Sequence, residues 1–207
     1  TRLTLTGDLP YPDLKARRGD GRARIDLRLA AAGLGAGETT ARDADLQMAF
    51  NGQMAGWIET FRIEGAGAGD LRVARIDGPA ASAATARLRL TDSRVVLARD
   101  ARGLNGRLDS GAALTAARAS GAGLDSAGLA LTSTRFAVGG RGAAMEMEGP
   151  IALSAARFAW DDLTLTDVRG ATDFDLVSDG GLRITARGGV RSARGAWPLF
   201  GPAAGDD

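Results

Sequence analysis

The chain has 207 residues with 26 basic and 25 acidic side chains, no cysteine and no histidine. That composition excludes disulfides, Cys/His zinc sites, thiol nucleophiles and every mechanism that uses imidazole as a base. A net charge of +1 leaves no global field to attract nucleic acid or an anionic membrane, and no run of about 18 apolar residues spans a bilayer as a helix. Lys15 is the only lysine, so arginine supplies almost all positive charge.

From the first residue the period is two. Leu3 and Leu5 alternate with Arg2, Thr4 and Thr6, and Ile25, Leu27 and Leu29 alternate with Arg24, Asp26 and Arg28. Leu46, Met48 and Phe50 share one parity, and Leu88 and Leu90 alternate with Arg87 and Arg89. Further on, Leu129 pairs in parity with Leu131, Met145 with Met147, Ile151 with Leu153, and Phe158 with Trp160. Leu163 and Leu165, Phe174 and Leu176, and Leu182 and Ile184 then follow against Thr, Asp and Arg. Successive side chains on a strand point to opposite faces, so these runs read as half-buried β-strands. No sustained i, i+3, i+4, i+7 pattern competes with them.

Glycine-rich punctuation separates the runs at 19–21, 65–69, 77–79, 139–140, 149–150 and 179–181. Glycine and Asp tolerate the positive φ of tight turns, which predicts runs of five to seven residues arriving every 8–12 residues. Residues 179–181 read as a hairpin loop. Residues 33–44 read as a loop, and 101–128 as a weaker Gly/Ala/Ser-rich segment. There, Leu104, Leu114, Leu124 and Leu129 fall at multiples of five, a spacing also found in pentapeptide β-solenoids. The whole of 1–207 reads as one repetitive β domain, and its opening directly on a strand suggests a segment of a longer chain.

The carboxylate pairs Glu146/Glu148 and Asp173/Asp175 alternate with apolar residues, which places them on a solvated face rather than in a catalytic dyad. Asp161 and Asp162 form no recognised calcium motif. Gly65-Ala-Gly67-Ala-Gly69 lacks the helix that a phosphate loop needs, and G-x-S-x-G is absent. We therefore expect no catalytic residue, no metal, no cofactor and no enzymatic activity. Trp57, Trp160 and Trp197 read as core anchors or sheet-edge plugs, with carbohydrate contact as the other use.

Alternation of this kind suits three all-β architectures: an extended, curled, mostly antiparallel sheet with a groove, a β-sandwich, or a β-solenoid. A membrane barrel is disfavoured by the short runs and the single tyrosine, Tyr11. The segments Ala86–Leu97, Leu163–Gly170 and 181–188, with Leu-x-Leu-Thr-x-Val-x-Gly at 163–170, resemble the AsmA-like proteins of Gram-negative envelopes, of the TamB/YdbH type. The resemblance implies a periplasmic, taco-like β-groove whose apolar face carries phospholipid acyl chains between inner and outer membranes, with other envelope proteins as further partners. On that reading the groove is lined by Leu88, Leu90, Leu163, Leu165, Phe174, Leu176, Leu182 and Ile184. A structural or adhesive β-solenoid, and a carbohydrate-binding β domain using Trp57 or Trp160, are the other expectations.

Overall fold

The computed structural model describes residues 1–11, 13–57, 59–142, 144–178, 182–197 and 201–202; of Leu182, Ile184, 191–197 and 201–202 it describes only the backbone. The described residues form strands and turns without a helix. The strands are β1 (Arg2–Asp8), β2 (Gly21–Ala36), β3 (Thr39–Gly56), β4 (Phe61–Asp77), β5 (Ala81–Asp100), β6 (Gly103–Gly121), β7 (Leu124–Arg141), β8 (Ala144–Trp160), β9 (Leu163–Ser178), β10 (Leu182–Trp197) and the two-residue β11 (Gly201–Pro202). They build one antiparallel meander in which each strand pairs only with its neighbours in sequence, and β1 does not close onto β10 or β11. The curled-sheet expectation holds. A solenoid does not, because its coils stack strands in parallel whereas every pairing among the described residues is antiparallel.

Apart from β1 and β11, the strands run 16 to 20 residues, two to three times the length predicted. The reason lies in how the alternation breaks. On β4 the apolar residues go from Val73 to Ile76, on β6 from Ala116 to Ala119, and on β8 from Ala155 to Phe158. Each slip of three looks like the end of a run, yet the strand continues through it. Ala101–Gly128, read as weak, contains all of β6 and the start of β7, joined by a two-residue turn in which Ala122 and Gly123 both have positive φ. The loop expected over 33–44 shrinks to Gly37–Glu38.

Three glycine-rich stretches read as turns fall within strands instead, Gly139-Gly140 among them, paired on both sides near the end of β7. Residues 65–69 lie inside β4, where Gly65 pairs with Gly52 and the Phe50 ring lies over both, within 2.6–2.8 Å of where their Cβ atoms would be. Gly149 and Pro150 lie inside β8, opposite a bulge on β7 where the two strands have no paired residues between Thr132–Ala152 and Ala137–Glu148. Pro150, which has no amide hydrogen to donate, thus borders a gap in the ladder on its β7 side. Residues 179–181 lie outside the described residues, although β9 and β10 pair from Ser178 and Leu182 onwards as a hairpin requires.

Two lines cross the sheet. Along the first, pairing skips Ala32, Asp43, Ala74, Thr85, Ala117, Gly128, Ala156 and Asp167, while the register on either side is unchanged. Asp43, Thr85, Gly128 and Asp167 have φ of 50, 51, 62 and 51°, one on every second strand. The line itself is exposed even where it is alanine, but the row beside it is not: Ala31, Ala44, Val73, Ala116, Ala155 and Val168 are only 3–6% exposed. Small side chains on a single-layer sheet are hidden to that degree when the sheet folds over them. The line is thus the outside of a bend and the buried row its inside.

The second line is a set of bulges. An extra residue on β5 near Asp92 and another on β7 near Thr134 shift the register by one against both neighbours. A bulge re-aims the strand, so the slip from Leu90 to Ser93, Val95 and Leu97 keeps these residues on one face. Ser93 and Ser110 are buried at this line with their Oγ atoms 2.7 Å apart, and Ser110 also donates to the Gly111 carbonyl at 2.7 Å.

Thr85 is β-branched and left-handed, a conformation that costs about 1–2 kcal/mol for a residue with a Cβ. Gly128 occupies the same line two strands on. Thr85→Gly should therefore raise stability by about 0.5–1 kcal/mol after the extra backbone entropy of glycine is counted. Urea unfolding checks this: an unchanged or lower midpoint would mean that the bend holds Thr85 by contacts rather than against strain.

Candidate ligand-binding trough

Strand register converts the scattered alternation into rows. Leu3, Leu29, Leu46, Leu71, Leu88, Leu114, Leu131 and Leu153 are consecutive cross-strand partners on β1 to β8, a ladder of eight leucines that ends against Gly170 of β9. Next to it, away from the bend, run Leu5, Leu27, Met48, Gly69, Leu90 and Ala112. Farther along, Val95, Leu108, Val138, Met147 and Leu176 form another. Directly opposed side chains share a face, so these rows make one continuous apolar surface. Among the described residues no second layer covers it. The leucines from Leu29 to Leu153 are half-buried, no large side chain among the described residues is fully buried, and Leu3 on the edge strand is 63% exposed.

The predicted lining residues fall into two groups. Leu88 is in the leucine ladder, Leu90 in the row beside it, and Phe174 and Leu176 continue the surface on β9. Ile184 and Leu182 pair with Leu176 and Ser178, and their side chains lie outside the described residues. Leu163 and Leu165 lie beyond the bend, paired with Trp160 and Phe158, and differ in parity from Phe174 and Leu176 on the same strand. The bend, with Asp167 on its line, separates them from the leucine ladder.

On the other side of the bend the character of the inner row changes. Arg42, Arg75, Ala84, Arg118, Ala127, Arg157 and Thr166 are consecutive partners from β3 to β9. On β4, β6 and β8 no residue at the line has positive φ, so Arg75, Arg118 and Arg157 keep the parity of the buried Val73, Ala116 and Ala155. They follow the buried row on the concave side. A hollow of about 520 Å³ opens there, lined by Arg75, Arg118 and Arg157 over Ala84 and Ala127, with Ser82 and Ser120 joined through their hydroxyls at 2.8 Å.

This arrangement had a sequence signature that alternation alone did not reveal. Leu71-Arg-Val-Ala-Arg75, Leu114-Thr-Ala-Ala-Arg118 and Leu153-Ser-Ala-Ala-Arg157 recur at intervals of 43 and 39 residues (114 − 71 and 153 − 114), and Leu29-Ala-Ala-Ala-Gly33 precedes them by 42. Each copy supplies one ladder leucine, one buried small residue, one residue on the outside of the bend and, in three of the four, one arginine.

The face behind the leucine ladder is charged and internally paired. Asp70 accepts from Arg87 and lies 3.5 Å from Arg72 and 3.8 Å from Arg89. The hydrogen bond from Arg87, assisted by the charges of Arg87 and Arg72, holds its carboxyl down to about 2, against an ordinary value of 3.8. A folded-state value below the unfolded one means that the contribution is complete above about pH 4 and drains as pH falls toward 2. The stability gap between the wild type and Asp70→Asn should therefore be constant at neutral pH and close over that window. Carboxyl carbon NMR shifts give the midpoint directly; titration of Asp70 near 4 would refute the Arg87 assignment.

Glu146, Glu148, Asp173 and Asp175 are exposed, as their alternation predicts. Trp160 is 54% exposed at the β8–β9 turn and is no core anchor, because the single-layer sheet provides no core there. Trp57 lies in the β3–β4 connection, at the opposite end of the strands, so the two indoles share no site. Trp197 has no described side chain. Among the described residues no cluster of three carboxylates offers a metal site, and no helix is long and apolar enough to cross a membrane. Compared with known proteins, the chain matches no family model, no curated protein and no solved structure.

Proposed function

We propose that this chain is an acyl-chain-carrying stretch of an envelope protein that passes phospholipid between the inner and outer membranes, its apolar face serving as an open trough. The observation that carries this reading is the eight-leucine ladder, which runs across eight strands, stays half-exposed and has no second layer over it. Contiguous apolar surface left uncovered across eight strands marks a binding surface. Each 100 Å² of tail and wall removed from water contributes about 2.5 kcal/mol, without directional demands on the tail. A ladder that crosses strand after strand provides equivalent positions along its length, which suits a ligand that moves rather than docks. The resemblance to AsmA-like proteins points the same way and implies a periplasmic location.

The test is lipid extraction and native mass spectrometry of the chain purified under mild conditions. Phospholipid bound in excess of a non-binding β control is expected. A chain that emerges free of lipid, and takes up none from fluorescent-lipid micelles, would defeat the reading.

A further inference from the structure

We infer that the arginine row along the bend is an anion rail that holds the phosphate of an amphiphile whose tails lie on the leucine ladder. This deepens the proposed function and rests on it for the position of the tails. The two rows share the concave side of the bend and flank the buried Ala/Val row, with four residues of strand, about 13 Å, between Leu114 and Arg118. That distance lets one molecule lay tails on one wall and its headgroup on the other.

The charge pattern favours an anion. The concave rows beyond the bend carry Arg42, Arg75, Arg118 and Arg157 against Asp77 and Asp125, a surplus of two positive charges (4 − 2). Asp77 is taken by Arg75, whose Nε lies 2.8 Å from its carboxylate. Among the described residues Arg42, Arg118 and Arg157 have no ion pair, whereas Arg72, Arg87 and Arg89 on the opposite face converge on Asp70. The alternation Arg75–Ala84–Arg118–Ala127–Arg157 sets the guanidiniums two strands, or about 9.6 Å, apart and leaves small side chains between them. A phosphate fits into such a gap and meets a planar fork on either side, with the Ser82 and Ser120 hydroxyls on the floor of the same hollow. Because the arginines from Arg75 to Arg157 repeat every second strand, a headgroup passes from one gap to the next as its tails move along the ladder.

The test compares fluorescent phosphatidylglycerol with fluorescent diacylglycerol, which has the same tails and no phosphate, on the wild type and on Arg42→Gln/Arg118→Gln/Arg157→Gln. These side chains are exposed, so the variant should keep its fold, and circular dichroism verifies this. The wild type should prefer the phospholipid about tenfold, a preference that weakens with added salt and vanishes in the variant while diacylglycerol affinity stays the same. An equal preference in both proteins, or one indifferent to salt, would overturn the rail. If neither lipid binds, the trough reading fails. The rail is then judged by titrating inorganic phosphate against the arginine Nε–H resonances: saturable shifts at Arg118 and Arg157 would make it a site for free phosphate, and none would end it.

Discussion

Replacing Leu114 by Asp should leave a folded protein that has lost most of its bound lipid. Leu114 stands mid-ladder between Leu88 and Leu131 and is half-buried. In a closed sandwich core an unpaired carboxylate at this position would cost several kcal/mol and unfold the domain. On an open wall the carboxylate remains hydrated. The stability cost then reduces to partial loss of leucine burial and of strand preference, about 2 kcal/mol. Lipid affinity should fall about tenfold, because a tail crossing the wall would have to desolvate the charge or give up its contact there. Urea unfolding and lipid uptake, measured on the same preparation, separate the alternatives. Global unfolding would mean that the ladder is a covered core, and normal uptake would mean that tails do not lie on it.

The largest expected loss of stability is at Gly65. A Cβ placed there comes within 2.5 Å of the Gly52 Cα and 2.8 Å of the Phe50 Cζ, and also meets the Asn51 carbonyl. Two of those three are backbone atoms of the paired strand, which cannot move without breaking the β3–β4 ladder. Gly65→Val should cost about 3 kcal/mol, at the upper end of overpacking, although valine is the better strand former. Gly33→Val is the matching control. It adds the same side chain to a strand with nothing within 4 Å and should change stability by less than about 0.5 kcal/mol. Equal effects at the two glycines would show that strand preference, not the space under Phe50, governs these positions.

Both predictions turn on features that differ in how far the residues alone disclose them. That Leu88 and Leu90 face one way and Arg87 and Arg89 the other follows from the two-residue pleat, and so does the exposure of Glu146, Glu148, Asp173 and Asp175. Fold class was legible for the same reason: a period of two sustained along the chain has no helical counterpart. Strand length was not. The slip from Val73 to Ile76 has the same form as a turn between two short strands, and Gly65–Gly69 has the composition of one. What distinguishes them is a partner strand that continues through the break, which is a long-range fact.

The residues alone specify an amphipathic β chain with one apolar and one charged side. They also carry the Leu-x-(Ala/Val)-Ala-Arg copies from which the ladder and the arginine row are built. It takes the folded sheet to make direct neighbours of leucines 17 to 26 residues apart along β2 to β8, because register is set jointly by turn length and by which row each strand must match. That sheet alone decided that the bulges near Asp92 and Thr134 restore the apolar face while the bend line does not, since a one-residue slip is compensated only where one strand holds an extra residue. And it alone brought an arginine row to the concave side of the same bend as the leucines, leaving the apolar wall of a single-layer sheet open to solvent.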